Sequence, residues 1–324
     1  MGDFATTLLA QYGLVNIKAV KERGAYLCKA ETGQKKIHKT YDNYSAIHAR
    51  YALLEQLDAS GFPYTDKITL SLQDMPFVQL GRETYIMSQY VPGREIDLNC
   101  LQDMTLAMQS LARLHKAARG VQGIPLVNAD AFPVVFAKDA DFLAKTSRQI
   151  GKNTRLSDFD VIFVKNVKEY TARTEKAAEL LAQTDYHFIF DNAVAGGHIC
   201  HNALKEETLT IHNDICHITG FNDAVVGAQI DDVANLMRRY VRRSNREIPI
   251  GKLLEAYDHV LPLPKTADAI VRAALMHPWQ FIKLVRQYYS KKRGWAPAAI
   301  MDRIIRLLEE QGKCDEYMDN SYNL

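Results

Sequence analysis

The stretch from residue 199 to residue 227 reads ICHNALKEETLTIHNDICHITGFNDAVVG. Its middle holds two short segments in which apolar and polar residues alternate, TLTIHND and CHITGFN, and the first of them ends with Asn213 and Asp214. Alternation with a period of two is typical of a half-buried strand, and Asn and Asp tolerate the backbone of tight turns. The stretch therefore predicts a loop and a β-hairpin within residues 199–223.

The hairpin interrupts a region in which apolar residues otherwise recur at helical spacing. From residue 103 onward this spacing appears in long segments: DMTLAMQSLARLHKAA, SDFDVIFVKNVKEYTARTEKAAELLA, DDVANLMRRYVRRS, IGKLLEAYDHVL and PAAIMDRIIRLLEEQ. An apolar side chain every three or four residues gives a helix one face that packs on a core. Residues 92–324 are therefore predicted to form a mostly α-helical lobe.

Residues 1–91 have a different pattern, with short strand-like segments separated by turn residues: GLVNIKAV, GAYLCKAETG, QKKIHKTY, ITLSLQD, PFVQLG and ETYIMSQYV. Between the third and fourth, SAIHARYALLEQLDASGF spaces Ile47, Tyr51, Leu54 and Leu57 as one helical stripe, and Gly61 marks its end. We predict an antiparallel sheet with one helix here, and a boundary near VPGRE at residues 91–95. The fold class is α+β, with two lobes.

Composition and charge exclude several classes of protein. The chain has 324 residues, of which 47% are hydrophobic, and a formal net charge of +2, which gives no footprint for nucleic acid or an anionic membrane. No run approaches the roughly 18 apolar residues of a membrane-spanning helix, and the first residues lack the order of a signal peptide. The five scattered cysteines favour free thiols and synthesis in the cytosol.

Several of these stretches resemble the CotS-type spore coat proteins, a branch of the aminoglycoside phosphotransferase and choline kinase superfamily. The resemblance rests on VPGRE, SLARLHKAARG, GGHICHN, DDVANLMRRYVRR and, most specifically, HPWQFIKLVRQYY followed by KKRGW. It extends from about residue 15 to residue 318. It implies a protein-kinase-like fold with a small β-rich lobe and a larger helical lobe.

The family's catalytic loop reads roughly C-H-x-D-x-x-x-x-N and is followed, after a hairpin, by a strand that carries one or two aspartates. When the two are aligned without gaps, His201 keeps its place, and Asp232 matches the aspartate that opens the next helix. The acidic and amide residues of the family are replaced at four positions: Ala203, Thr208, Gly220 and Asn222. The resemblance thus implies a kinase fold with degenerate catalytic motifs.

Phosphoryl transfer depends on an aspartate that accepts the hydroxyl proton, and on an asparagine and another aspartate that hold magnesium. The methyl group of Ala203 can do neither. Loss of a general base removes about two to four powers of ten in rate. We therefore expect a pseudokinase with no catalytic residues and no cofactor, whose role is structural or in assembly.

Two other functions remain open. An ATP-dependent small-molecule phosphotransferase would need a rewired magnesium site, in which Asn222 is joined by Asp223 or Asp214. A slip of one residue that brings Asp223 inward would require a bulge, because side chains alternate along a strand. A pseudokinase that binds nucleotide or a sugar-like ligand without turnover lies between these two functions.

The lysine that contacts nucleotide phosphates in this superfamily falls most naturally on Lys39, with Lys35 and Lys36 as rivals. A solvated basic strand explains these residues equally well. Glu55 is a candidate partner on the following helix, and KERGAYLCK offers only Gly24 where several glycines would favour approach to phosphate. Lys39 is therefore a candidate cofactor-binding residue under the ATP-dependent alternatives.

Six side chains with zinc-binding chemistry cluster in sequence: His198, Cys200, His201, His212, Cys216 and His217. Their spacing fits no closed zinc motif, and neighbours on a strand face opposite ways, so that at most half of them can converge. We expect core histidines and buried thiols, and no metal site.

The segment HPWQFIKLVRQYYSKKRGW mixes aromatic and basic side chains, a composition found in packed helices and in protein interfaces. Helical spacing, as between Leu284 and Tyr288, favours core packing. The resemblance implies that the partners are other spore coat proteins, with self-association open. It also implies synthesis in the mother-cell cytoplasm and deposition in the spore coat, where an exposed strip of this segment would be the first place to look for assembly contacts.

Overall fold

The structure, a computed structural model, describes residues 2–15, 17–22, 24–244, 249–290 and 297–320. Its helices are α1 Gly2–Ala10, α2 Tyr44–Ala59, α3 Leu101–Ala118, α4 Phe132–Ile150, α5 Asp158–Ala182, α6 Tyr186–Ala195, α7 Ile230–Arg243, α8 Ile250–Asp258, α9 Ala267–Met276, α10 Trp279–Tyr289 and α11 Pro297–Asn320. Its strands are β1 Ala19–Glu22, β2 Ala25–Ala30, β3 Gly33–Thr40, β4 Ile68–Thr69, β5 Val78–Leu80, β6 Glu83–Gln89, β7 Arg94–Glu95, β8 Ile199–Cys200, β9 Leu209–His212, β10 Ile215–Ile218 and β11 Val225–Val226.

The chain divides into two compact units. The first comprises Met1–Asn128, Gly196–Val226 and Ala256–Leu261, and the second comprises Ala129–Ala195, Gly227–Glu255 and Pro262–Leu324. The N-terminal sheet, α3 and the hairpin all belong to the first unit, so the predicted boundary near residue 91 falls inside it.

The N-terminal part of the first unit contains a six-stranded antiparallel sheet. The strand order is β1-β2-β3-β6-β4, and β5 also pairs with β6. Helix α1, which the sequence pattern did not predict, buries Leu8 and Leu9 against Ile37 of β3. Because side chains alternate along a strand, Lys36 and His38 lie on the face of β3 opposite Ile37.

Helix α2 begins after Asn43, whose side-chain oxygen accepts a hydrogen bond from a backbone N–H of the first turn at 2.8 Å. The predicted stripe is largely buried, with Ile47, Leu54 and Leu57 at 1% exposure or less. Arg50 is also buried on this helix, with 7% exposure. A buried guanidinium is costly unless it is paired, so its contacts matter for the site.

The predicted hairpin is present in the first unit. Strands β9 and β10 pair antiparallel, with Asn213 and Asp214 in the turn at φ angles of 49° and 59°. The short strand β7 pairs with the other edge of β9. Strand β8 pairs with β11, so the chain segments before the loop and after the hairpin lie side by side.

The second unit is built from helices. Its core includes Leu143 of α4, Phe163 of α5, Phe281 and Val285 of α10, and Ile304 of α11, none more than 1% exposed. In the part of the chain that the structure describes, no helix combines the length and the apolar composition needed to cross a membrane.

Candidate functional site

His201 lies in the loop after β8 and forms a hydrogen bond with Thr219, which follows the hairpin. Its Nε2 donates a hydrogen bond to the carbonyl oxygen of Thr219 at 2.9 Å, and its Nδ1 accepts one from the N–H of Ala203 at 3.3 Å. Its ring meets that of Phe221 edge to face, with centroids 4.7 Å apart. His201 is 1% exposed, so its contacts hold the loop in place from inside the unit.

Ala203 and Thr208 are the residues that the gap-free alignment sets against the family's aspartate and asparagine. Ala203 presents only a methyl group. The Thr208 hydroxyl donates to the carbonyl oxygen of Lys205 at 2.9 Å and accepts from the N–H of the same residue at 3.0 Å. Thr208 thus closes the 3₁₀ turn of residues 206–208.

Gly220, the third degenerate position, bends the chain after β10. Its φ of 80° lies in the left-handed region, and a Cβ at this residue would sit 3.3 Å from Cγ2 of Thr208. Its N–H donates a hydrogen bond to Oδ1 of Asp66 at 3.2 Å. Asp66 precedes β4 and is therefore distant from Gly220 along the chain. Its carboxylate contacts position 220, which has no carboxylate because the residue there is glycine.

Asn222, the fourth degenerate position, forms a network with Asp42 and Arg50. Its Nδ2 donates to Oδ2 of Asp42 at 3.0 Å, and the same oxygen lies 3.2 Å from Nη1 of Arg50. Nη2 of Arg50 is buried, with no hydrogen-bond partner among the described residues. The Asn222 amide is therefore engaged by a carboxylate of the protein itself.

Burial shifts two titratable groups beside this network. It raises the pKa of Asp66 to about 6, although the Gly220 hydrogen bond and the charges of Arg50 and Lys36 lower it. It lowers the pKa of His38 to about 4, and the same two cations contribute. His38 is therefore neutral at pH 7, while an ionised Asp66 carries a charge that is unfavourable to bury.

The acids considered for a rewired magnesium site are both exposed. Asp214 is in the hairpin turn, and Asp223 ends the 3₁₀ turn of residues 221–223, where its backbone carbonyl accepts a hydrogen bond from Nδ2 of Asn202 at 3.1 Å. Nowhere in the described ranges do three or more His, Cys, Asp or Glu side chains group in a way that would hold a metal. The residues present do not fit magnesium, because Ala203 and Gly220 have no ligand atom in their side chains and the hydroxyl of Thr208 is bonded to Lys205.

The ammonium of Lys39 bonds to the carboxylate of Glu83, which raises the pKa of this lysine. It also lies 4.9 Å from the ring centroid of Tyr41. Lys39 is two positions after Ile37, so both side chains lie on the α1 side of β3. A nucleotide contact by Lys39 stays a prediction.

The two rival lysines differ in their surroundings. Nζ of Lys35 donates to Oγ1 of Thr69 at 3.3 Å. Lys36 lies on the other face of β3, and its charge acts on Asp66. The candidate partner Glu55 is exposed on α2. The residue of α2 whose charge acts on Asp66, together with that of Lys36, is Arg50.

Asp232 is buried in the first turn of α7, in the second unit. Its neighbour Asp231 accepts a hydrogen bond from the Tyr186 hydroxyl at 2.9 Å. Burial, together with the charge of Asp232, raises the pKa of Asp231 well above its ordinary value. This pair of acids is thus part of the interior around α6 and α7.

The segment that begins at His277 is used inside the second unit. Nε2 of His277 bonds to Oδ2 of Asp139 at 2.8 Å, and Arg286 binds the other oxygen of that carboxylate. The His277 ring stacks on Phe136 with centroids 4.1 Å apart. Burial lowers the pKa of His277, although the hydrogen bond to Asp139 raises it. A buried acid of α4 thereby joins α4 to α10.

The aromatic residues of the same segment pack internally. Phe281 stacks on Tyr170 at 3.7 Å between centroids, and Tyr288 stacks on Phe159 at 3.8 Å. The predicted core packing is confirmed for these residues. Trp295 and the basic residues of 291–293, which were predicted to contribute to an assembly surface, lie outside the described residues.

Three residues of the site were not predicted from the sequence: Asp42 and Arg50 of the network, and Asp66 beside it. The two acids stand in short loops, where acids are common. Only Arg50 could have been identified from the sequence, because its spacing places it on the buried stripe of α2. It follows Ile47 by three residues and precedes Leu54 by four. An arginine on a buried helical stripe indicates a buried ion pair, although its partner cannot be named from spacing.

A family model described as "Spore coat putative kinase YutH" matches residues 5–321. The match includes the whole loop and hairpin of residues 199–223. No curated protein matches the chain.

Several solved structures have a similar fold. An aminoglycoside phosphotransferase from Alicyclobacillus acidocaldarius matches with a TM-score of 0.82 and 17% identity, over 98% of this chain and 95% of that chain. Spectinomycin phosphotransferase APH(9)-Ia, in complex with ADP and spectinomycin, matches with a TM-score of 0.68 and 12% identity, over 100% of this chain and 99% of that chain. A choline/ethanolamine kinase family protein from Mesorhizobium loti matches with a TM-score of 0.53 and 12% identity, over 98% of each chain. These matches confirm the predicted kinase-like α+β fold.

Proposed function

Since the chain belongs to the YutH family of spore coat proteins, we propose that it is a pseudokinase, a kinase-like protein without phosphotransferase activity, with a structural or assembly role in the spore coat. One observation carries the proposal. At the four positions where the catalytic motif has acidic and amide residues the chain has Ala203, Thr208, Gly220 and Asn222. The polar side chains among them are bonded within the protein.

The energetic argument is that each missing group removes part of the transition-state stabilisation. A general base accounts for about two to four powers of ten in rate. A metal ion supplies several kcal/mol of charge stabilisation, and the two contributions are not additive. These losses support a protein that has the kinase-like fold and lacks phosphotransferase activity.

The family supports a spore coat context for the chain. The partners proposed are other spore coat proteins. The protein would be made in the mother-cell cytoplasm and then deposited in the coat around the developing spore.

A second candidate function is an ATP-dependent small-molecule phosphotransferase with a rewired magnesium site. The observation that favours it is the Asp66 carboxylate, which reaches the N–H of Gly220 at 3.2 Å. The charges of Arg50 and Lys36 act on Asp66 and oppose a bound cation there. ADP release in the presence of ATP and magnesium, abolished by Asp66→Asn, would support this function over the first.

Complementation distinguishes a scaffold from an enzyme in cells. A sporulating strain that lacks its own copy would express the wild type, Lys39→Ala or Lys36→Ala as a fluorescent fusion. We expect all three to reach the coat and to restore its structure, because a scaffold does not use a phosphate-binding lysine. Loss of coat assembly in a lysine variant of normal abundance would contradict the proposal.

A further inference from the structure

Strand β1, Ala19–Glu22, forms one edge of the N-terminal sheet. Among the strands that the structure describes, it pairs only with β2. The far side of an edge strand presents backbone N–H and C=O groups that no neighbouring strand binds, and such a row can pair with another chain. The backbone register and the side chains of β1 therefore indicate which kind of strand could bind there.

The register determines which backbone groups of β1 face outward. Glu22 pairs with Ala25, so two residues connect β1 to β2. The pair that closes a two-residue hairpin loop is hydrogen-bonded, and hydrogen-bonded pairs alternate with non-hydrogen-bonded pairs along an antiparallel ladder. Val20, two residues before Glu22, is thus also hydrogen-bonded to β2. Ala19 and Lys21 direct their N–H and C=O groups away from β2.

Three exposed side chains follow one another on a single face of this edge. Lys18, just before the strand, Val20 and Glu22 are alternate residues, so their side chains point the same way. Val20 is 67% exposed, although it is apolar. The row reads basic, apolar, acidic, and it reads acidic, apolar, basic in the reverse direction. An antiparallel copy of the same strand would therefore place opposite charges together, whereas a parallel copy would place like charges together.

We propose that β1 pairs antiparallel with β1 of a second copy of this chain, about a two-fold axis between the two Val20 residues. Lys18 of each copy then lies opposite Glu22 of the other, and the two Val20 side chains pack together at the axis. Ala19 and Lys21 exchange about four backbone hydrogen bonds with the second copy, and they are the residues whose groups face outward. The sheets of the two copies become one continuous antiparallel sheet.

The pairing is closed and small. Because both copies use the same edge, the contact ends at the dimer and does not continue into a fibre. Only a short strand from each copy takes part, so association should be weak in dilute solution and should increase where chains are concentrated. The pairing does not depend on phosphotransferase activity or on its absence. In a coat protein it would supply one contact between chains of the same kind.

Sedimentation velocity of the full-length chain over a range of concentrations measures the pairing. We expect a monomer–dimer equilibrium for the wild type. Lys18→Glu and Glu22→Lys should each raise the dimer dissociation constant about tenfold, because two pairs of like charge then face each other. The double variant restores opposite charges and should dimerise as the wild type does. Lys165→Glu changes the net charge as Lys18→Glu does, at an exposed position of α5, and should have no effect.

Disulfide crosslinking tests the position of the axis. Opposite residues of a non-hydrogen-bonded antiparallel pair have Cα atoms about 4.5 Å apart, which a disulfide can bridge. Val20→Cys should therefore form a covalent dimer when an oxidant is added. Val15→Cys is the matched control, because Val15 is 66% exposed and does not lie opposite itself in this register. The wild type measures crosslinking through the native cysteines.

Any of three results would overturn the pairing. The first is a wild type that stays monomeric at every concentration measured. The second is a dimer that the single charge reversals leave unchanged, or that the double variant does not restore. The third is crosslinking of Val20→Cys that is no greater than that of Val15→Cys.

Discussion

At position 220 the backbone restricts which residue can stand there. The left-handed φ of 80° and the Cγ2 atom of Thr208, 3.3 Å from where a Cβ would be, both favour glycine. An aspartate restored at this position would still bring its Cβ close to Thr208, although aspartate tolerates the left-handed region better than most residues do.

Gly220→Ala should lower the free energy of unfolding by about 1–2 kcal/mol, because a left-handed conformation is strained for an L-residue with a Cβ. Urea denaturation measures the change. Gly251→Ala in α8 is the matched control, since its new Cβ meets open space in a helix, and it should be neutral or stabilising. Equal effects of the two substitutions would refute the backbone argument.

The buried carboxylate of Asp139 is predicted to contribute to stability. Asp139→Asn should cost about 1.5–3 kcal/mol, because one acceptor oxygen and the negative charge that faces His277 and Arg286 are lost. Asp141→Asn, on the same helix, removes an exposed partner of Lys145 and should cost less than about 1 kcal/mol. Thermal denaturation of the two variants compares them, and similar losses would be inconsistent with a special role for Asp139.

At the scale of elements, periodicity predicted much of the structure. The segment QKKIHKTY became β3, and the stripe from Ile47 to Leu57 became α2. The segment ITLSLQD gave only Ile68–Thr69, because the N–H of Ser71 turns back to the carbonyl oxygen of Met75. Helix α1 was missed, since so short a helix depends on packing against the sheet rather than on its own propensity.

The glycine of VPGRE has an element-scale role that the resemblance alone did not explain. Gly93 has a φ of 138°, and a Cβ there would lie 2.3 Å from the carbonyl oxygen of Ile211. This close approach lets β7 pair with β9. The motif that indicated a boundary therefore marks a strand that joins the hairpin sheet.

Gly93→Ala should disrupt the pairing of β7 with β9 and lower the melting temperature. The backbone strain alone is worth about 1–3 kcal/mol, and the clash with Ile211 adds to it. Gly81→Ala separates the two effects, because Gly81 also has a positive φ but open space around it. If both variants lose the same stability, the close approach at Gly93 contributes nothing.

For the whole molecule, the fold was accessible from sequence, while the contacts of the site were not. Substitutions such as Ala203 can be read from the motif alone. The pairing of Asp66 with Gly220, or of Arg50 with Asp42, joins residues distant along the chain or set in different elements, and no local pattern encodes it. Position 220, where the family has an aspartate, and Asp66, which contacts it, come together only in the tertiary structure.

Stability of the whole chain should fall in acid through its buried histidines. The pKa of His277 is lowered below the usual value of 6.5, so its contribution is full above pH 6.5 and is lost as the pH falls through its folded pKa. His38, with a pKa of about 4, acts in the same direction at lower pH. Chemical denaturation between pH 7 and pH 4 measures this, and His277→Gln should show a smaller decline. An equal decline in this variant would remove His277 from the explanation.

The most direct test of a non-catalytic loop is the melting temperature of the wild type with ATP, measured with and without magnesium. A ligand at 100 times its dissociation constant adds about 2.7 kcal/mol of stability, which such a scan detects readily. We predict no magnesium-dependent rise at millimolar ATP, in the wild type or in Lys39→Ala. A rise that requires magnesium and disappears in Asp66→Asn or Lys39→Ala would contradict the loss of the magnesium site, and ADP release in the same sample would contradict the absence of phosphotransferase activity.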